Sequence, residues 1–151
     1  MRIVMLLLIW LSVVQAAVCL AGTTSIKVPG AHIRSGPGSN YRILWRADQF
    51  YPLEVLSRNG NWYRVKDFKG KVGWVHQEQT SDTPTVVVKA RWADVRSGPG
   101  SHYPLRLTAE RGSAFHCIQE VGHWVQVGYV YGEMGWIDRK LLWGGRPGEQ
   151  P

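Results

Sequence analysis

Two small all-β barrels in tandem, behind an N-terminal signal peptide, are the fold this sequence predicts. Three observations carry the prediction: an internal repeat at a fixed offset, short β-type runs between glycine-containing turns, and no long stretch of helical period. The string from Arg34 to Ser39 (Arg-Ser-Gly-Pro-Gly-Ser), followed by Tyr41, returns from Arg96 to Ser101, followed by Tyr103, 62 residues later. The same offset pairs Gly60 with Gly122, Trp62 with Trp124, Val65 with Val127, Gly70 with Gly132, Gly73 with Gly135 and Trp74 with Trp136. Sixteen of the 53 positions from Lys27 to Gln79 are identical at this offset, without a gap, which marks a duplicated domain.

The chain has 151 residues, of which 44% are hydrophobic and 19% charged, a composition that supports packed domains rather than disorder. Its first residues order a charge at Arg2, an apolar run from Ile3 to Val14 and small residues at Ala16, Ala17 and Ala21. That is the layout of a secretory signal peptide over residues 1–21, with cleavage after Ala21 and a cut after Ala16 as the alternative. An uncleaved membrane anchor is the competing reading. Ser12 and Gln15 interrupt the run, so no membrane span is expected after cleavage. Lipidation at Cys19 is disfavoured because Val18 precedes it.

Cleavage removes only Arg2 among the charged residues, so the mature chain carries 17 Lys and Arg against 11 Asp and Glu. A moderately basic surface suits nucleic acid, anionic lipid or an anionic polymer. Export removes nucleic acid from that set. Cys117 is then the one remaining cysteine, which excludes an internal disulfide in the mature chain.

Each repeat of about 55 residues is small enough to be marginal alone. The first is placed over residues 26–79 and the second over 86–143, joined by a polar, proline-containing linker over 80–85. Residues 144–151 have nothing to bury and are expected to be a disordered tail. About five short strands are expected per repeat. In the first, Leu53 and Val55 alternate with Glu54, a turn at Asn59-Gly60 leads into Trp62 to Val65, and a turn from Asp67 to Gly70 precedes Val72 to Val75. In the Gly-Pro-Gly segment, proline fixes φ and the following glycine supplies the positive φ of a type II turn. A phosphate cradle would need a helix N-terminus after it, and the sequence offers none.

The string Arg-Ser-Gly-Pro-Gly-Ser-x-Tyr, then Leu53 to Leu56, then Gly60 to Val65, then Gly70 to His76, closely resembles the bacterial SH3 domain family. The resemblance covers nearly all of the mature chain. It implies SH3-like barrels, an extracytoplasmic setting in the periplasm or cell envelope, and binding of peptidoglycan or cell-wall peptides. An adaptor docking onto an envelope enzyme or transporter is the alternative.

Candidate ligand residues are Tyr41, Trp45, Arg46, Trp62, Tyr63, Tyr103 and Trp124. Strand alternation puts Val65 and Tyr63 on one face and Trp62 and Arg64 on the other, so a core valine turns Trp62 outward. An outward tryptophan is a stacking platform for sugar or peptide, or a cover for the barrel end or interdomain contact. Trp45 and Arg46 lie where small barrels vary their surface, whereas Trp74 and Trp136 are read as packing residues. The second repeat has Leu107, Thr108 and Val125 where the first has Trp45, Arg46 and Tyr63. The first unit is therefore expected to carry the better site.

No catalytic residue, metal site or cofactor is expected, and the protein is read as non-catalytic. Cys117 aligns with Val55 in a strand, as a small hydrophobe rather than a nucleophile, and the adjacent His116 points to the opposite face. The five histidines lack metal-ligand spacing.

Overall fold

The computed structural model describes residues 22–145. The proposed signal peptide over 1–21 and residues 146–151 of the proposed tail lie outside the described residues. The first domain contains β1 (Thr23–Ile26), β2 (Ala31–Arg34), β3 (Ile43–Ala47), β4 (Pro52–Asn59), β5 (Trp62–Lys66), β6 (Val72–His76), a 3-10 turn (Gln77–Gln79) and β7 (Thr80–Ser81). The second repeats the series with β8 (Thr85–Val88), β9 (Trp92–Arg96), β10 (Leu105–Glu110), β11 (Ala114–Val121), β12 (Trp124–Tyr129), β13 (Gly132–Asp138), a 3-10 turn (Arg139–Leu141) and β14 (Leu142–Gly144).

The strand order is β3-β2-β6-β5-β4-β1-β7 in one sheet and β10-β9-β13-β12-β11-β8-β14 in the other. Both are antiparallel throughout, so the fold is all-β as the sequence indicates. Two corrections follow. Each domain has seven strands rather than five, because the chain enters and leaves on a short edge pair whose register is Ser25↔Ser81 and Ile26↔Thr80 in the first domain. No ladder joins β3 to β7 or β10 to β14 among the described residues, so each sheet is open and not a closed barrel. β4 pairs with β1 through its first half and with β5 through its second. A bulge between Val55 and Ser57, repeated between Cys117 and Gln119, accompanies this change of partner.

The two cores are copies of one pattern. Ile26, Ile33, Leu53, Val65 and Val75 are buried together in the first domain, and Val88, Val95, Phe115, Val127 and Ile137 stand at the same repeat positions in the second. Val65 is fully buried, as the alternation argument requires. Cys117 packs partly buried against the second core, while His116 meets Phe50 of the first domain.

Strand β7 absorbs Thr80 and Ser81 and β8 begins at Thr85, so the connection between strands shrinks from the expected 80–85 to residues 82–84. At the other end β14 runs to a buried Gly144, whose carbonyl accepts a 2.7 Å hydrogen bond from the Arg139 guanidinium. The expected tail therefore does not include Gly144, whose backbone is satisfied by a strand and a buried side chain.

The domains share a third apolar cluster. Phe68, at the tip of the β5–β6 hairpin, packs with Val87 and Trp143 of the second domain, and Tyr51 joins them. Arg111 lays its guanidinium 5.6 Å from the Phe68 ring centre, and Phe50 packs 5.4 Å from the Tyr129 ring. The duplication has diverged where the halves meet. The repeat positions of Val87 and Trp143 are Ser25 and Ser81, and that of Phe68 is Val130, exposed at its own hairpin tip.

Candidate functional site

The Arg-Ser-Gly-Pro-Gly-Ser segment folds the same way twice. Gly38 N–H donates to Gly36 O at 2.9 Å and Tyr41 N–H to Gly38 O at 3.3 Å, and Gly100 and Tyr103 repeat both bonds at the same lengths. The Arg34 guanidinium donates to Tyr41 O at 2.8 Å, and Arg96 to Tyr103 O at 3.0 Å. None of these four glycines has positive φ, so the expected type II turn is not what selects them. The physical reason is space: a Cβ on Gly36 or Gly98 would collide with the ring of Tyr41 or Tyr103. The two tyrosines thus close their own loops, remaining partly exposed.

Beside each loop lies a cleft. In the first domain His32 and Arg34 of β2, Ser39 of the loop, Trp62 of β5, His76 of β6 and Glu78 of the 3-10 turn line a space of about 260 Å³. Trp62 and His76 are cross-strand partners whose rings meet edge to face at 5.1 Å. The His32 ring, through Nδ1, stands 3.4 Å from the Arg34 guanidinium, and His76 Nδ1 accepts from Glu78 N–H at 3.2 Å.

The second domain builds the corresponding cleft, about 300 Å³, from Asp94, Arg96, Ser101, Trp124, Asp138 and Lys140, each 62 residues beyond its counterpart, and adds Trp92. Two aspartates replace two histidines and lysine replaces glutamate. Asp94 pairs with Arg96 at 3.1 Å, and Asp138 accepts from Lys140 N–H at 3.1 Å while its carboxylate lies 3.5 Å from the Lys140 ammonium.

Trp62 and Trp124 therefore stand in the clefts, on the outward face the alternation indicates. Arg46 is exposed on edge strand β3, opposite His32. Trp45 and Tyr63 do not join Trp62: both pack against the first core, with the Lys71 ammonium 4.9 Å from the Trp45 ring centre and the Arg58 guanidinium 5.8 Å from that of Tyr63. The aromatic cluster expected in the first domain is thus divided between two faces of the sheet. Sequence reasoning missed Trp92, His32, His76, Asp94 and Asp138. Alternation back from Arg34 and Arg96 would have found His32, Asp94 and Trp92. Among the described residues no three His, Cys, Asp or Glu side chains gather as a metal-ligating group.

Comparison with known proteins matches the family model of the bacterial SH3 domain to residues 27–82 and again to 89–144. A putative N-acetylmuramoyl-L-alanine amidase, YrvJ of Bacillus subtilis (strain 168), is 26% identical over 135 residues, covering 82% of this chain. The chain spans 26% of that relative's length. Among solved structures, an NlpC/P60 family protein from Bacillus cereus ATCC 10987 aligns with 83% of this chain and 57% of its own, at 14% identity and a TM-score of 0.40. The structure named Endolysin LysPBC5 CBD aligns with 82% of this chain and 93% of its own, at 16% identity and a TM-score of 0.32.

Proposed function

Because the chain belongs to the bacterial SH3 domain family, with two such domains in tandem, we propose that it is an exported, non-catalytic protein that binds peptidoglycan or its peptides in the cell envelope. The observation that carries this reading is the recurrence of one cleft at one repeat offset, each with an outward tryptophan beside an arginine and a glycine-built loop. A concave surface with an aromatic wall and a few fixed polar groups suits a ligand with both apolar and polar faces. The likeness of 82% of the chain to a putative N-acetylmuramoyl-L-alanine amidase supports this reading.

Retention on purified sacculi tests the reading at about 150 mM salt, where exposed charges are largely screened. The chain is expected to sediment with sacculi, and the double variant Trp62→Ala/Trp124→Ala to stay in solution while keeping its β-type circular dichroism. Failure of the unaltered chain to sediment would sink the proposal.

One observation favours the adaptor reading as a second possibility. The β12–β13 hairpin tip exposes Tyr129, Val130 and Tyr131, the last 98% exposed, a solvent-facing aromatic edge of the kind protein partners cover. Crosslinking in intact cells separates the readings: a single dominant protein partner lost with Tyr131→Ala favours the adaptor.

A further inference from the structure

We propose that the cleft of the second domain is a sugar-ring site, different in ligand chemistry from the cleft of the first. The inference rests on the wall-binding reading and names which part of the polymer this cleft takes: the glycan strand rather than the peptide.

The first argument is Trp92. Along β9, Ala93 and Val95 are buried while Trp92, Asp94 and Arg96 form the outward row. Trp92 is 50% exposed, and at its repeat position the first domain has Gly30. It lines the same cleft as Trp124. An indole left half in water at the mouth of a cleft is an unused apolar face, and two indoles offer a ligand two such faces. The first cleft has one.

The second argument is charge. Asp94 is paired with Arg96 and Asp138 with Lys140, so the cleft compensates its own charge. A carboxylate or ammonium entering it would compete with a partner already in place, for little net gain. A hydroxyl has no such difficulty: it donates to a free carboxylate lone pair and accepts from a free guanidinium or ammonium N–H, leaving the ion pairs intact. The ligand these walls fit is uncharged, has an apolar C–H face and carries hydroxyls around its rim. A pyranose ring has that form. A peptide stem, bearing carboxylates, does not match it.

The test follows the indole N–H signals of Trp62, Trp92 and Trp124 in the 15N-labelled chain during titration with chitotetraose, a β-1,4-linked N-acetylglucosamine tetramer, and separately with the free tetrapeptide stem. Chitotetraose is expected to shift Trp92 and Trp124 together and saturably, and to leave Trp62 in place. Trp92→Ala should weaken chitotetraose binding about tenfold or more, while Trp92→Tyr, which keeps a ring, retains most of it. To separate loss of the ring from disturbance of the strand, the Trp124 signal of each free variant reports whether the cleft is intact.

The proposal is overturned if Trp92 and Trp124 fail to shift at about 10 mM chitotetraose, beyond the millimolar range of weak ligands. It is equally overturned if they respond to the tetrapeptide instead, or if Trp92→Ala binds the tetraose unchanged. Sacculus retention without a chitotetraose response removes this inference and leaves the wall-binding reading standing. A tetraose response without sacculus retention does the reverse.

Discussion

His32 and His76 do in the first cleft what Asp94 and Asp138 do in the second: each offers an acceptor to a donor held by the neighbouring backbone or by the arginine beside it. Exchanging the two residue types should therefore conserve both contacts. His32→Asp/His76→Asp is expected to melt within a few degrees of the unaltered chain. His76→Ala, which removes the acceptor that caps the 3-10 turn, should destabilise the first domain by about 1 kcal/mol. Thermal melts of the three proteins check this, and equal melting of His76→Ala would show that the cap contributes nothing.

At the scale of single elements, the loop after β2 shows how one residue type can be selected for two different reasons. Gly60 has a φ of 58° and open space where a side chain would go, so its requirement is backbone conformation. Gly36 has neither positive φ nor space. Gly36→Ala should push the Tyr41 ring off the loop and disturb the arginine bond to Tyr41 O, destabilising the domain by about 1–3 kcal/mol, as overpacking does. Combined with Tyr41→Ala the same change should become nearly neutral, a coupling that thermal melts of the four proteins measure. The repeat made these loops legible but not their mechanism, because a sequence shows a glycine and not which of its freedoms is used. Strand alternation correctly turned Trp62 out and Val65 in. Trp45 is expected at the surface from its place after a loop, not from alternation, and it stands instead opposite buried Ile33 in the β2–β3 ladder, against the core. Trp92 escaped notice because the repeat draws attention to identities, and the added indole lies where the copies differ.

Across the whole molecule, the Phe68–Val87–Trp143 cluster joins the two domains that carry the clefts, so that two sites of the proposed kind would act together only in the geometry this contact sets. Phe68→Ala empties the centre of the cluster and should reduce sacculus retention more than Trp62→Ala or Trp124→Ala alone, with the change in domain spacing visible in small-angle scattering. Phe50 adds to the contact at a cost, since its φ of 69° is strained for a bulky side chain while its ring packs on His116 and Tyr129. The same interface carries a sensitivity to alkali. Tyr51 joins the cluster, and burial first, then the negative charges of Asp67 and more weakly Asp48, push its phenol far above the ordinary value. In the unfolded chain the phenol ionises near pH 10, whereas in the folded protein it keeps its proton well beyond that. Below about pH 10 both states hold the proton and this group imposes no pH dependence. Above it the unfolded chain gives up a proton that the folded chain must retain, so stability falls as pH rises. Denaturant midpoints should decline between about pH 10 and 11.5. In Tyr51→Phe the decline should be shallower, because the group that links folding to proton release is gone; an identical slope in the two proteins would show that the alkaline loss originates elsewhere.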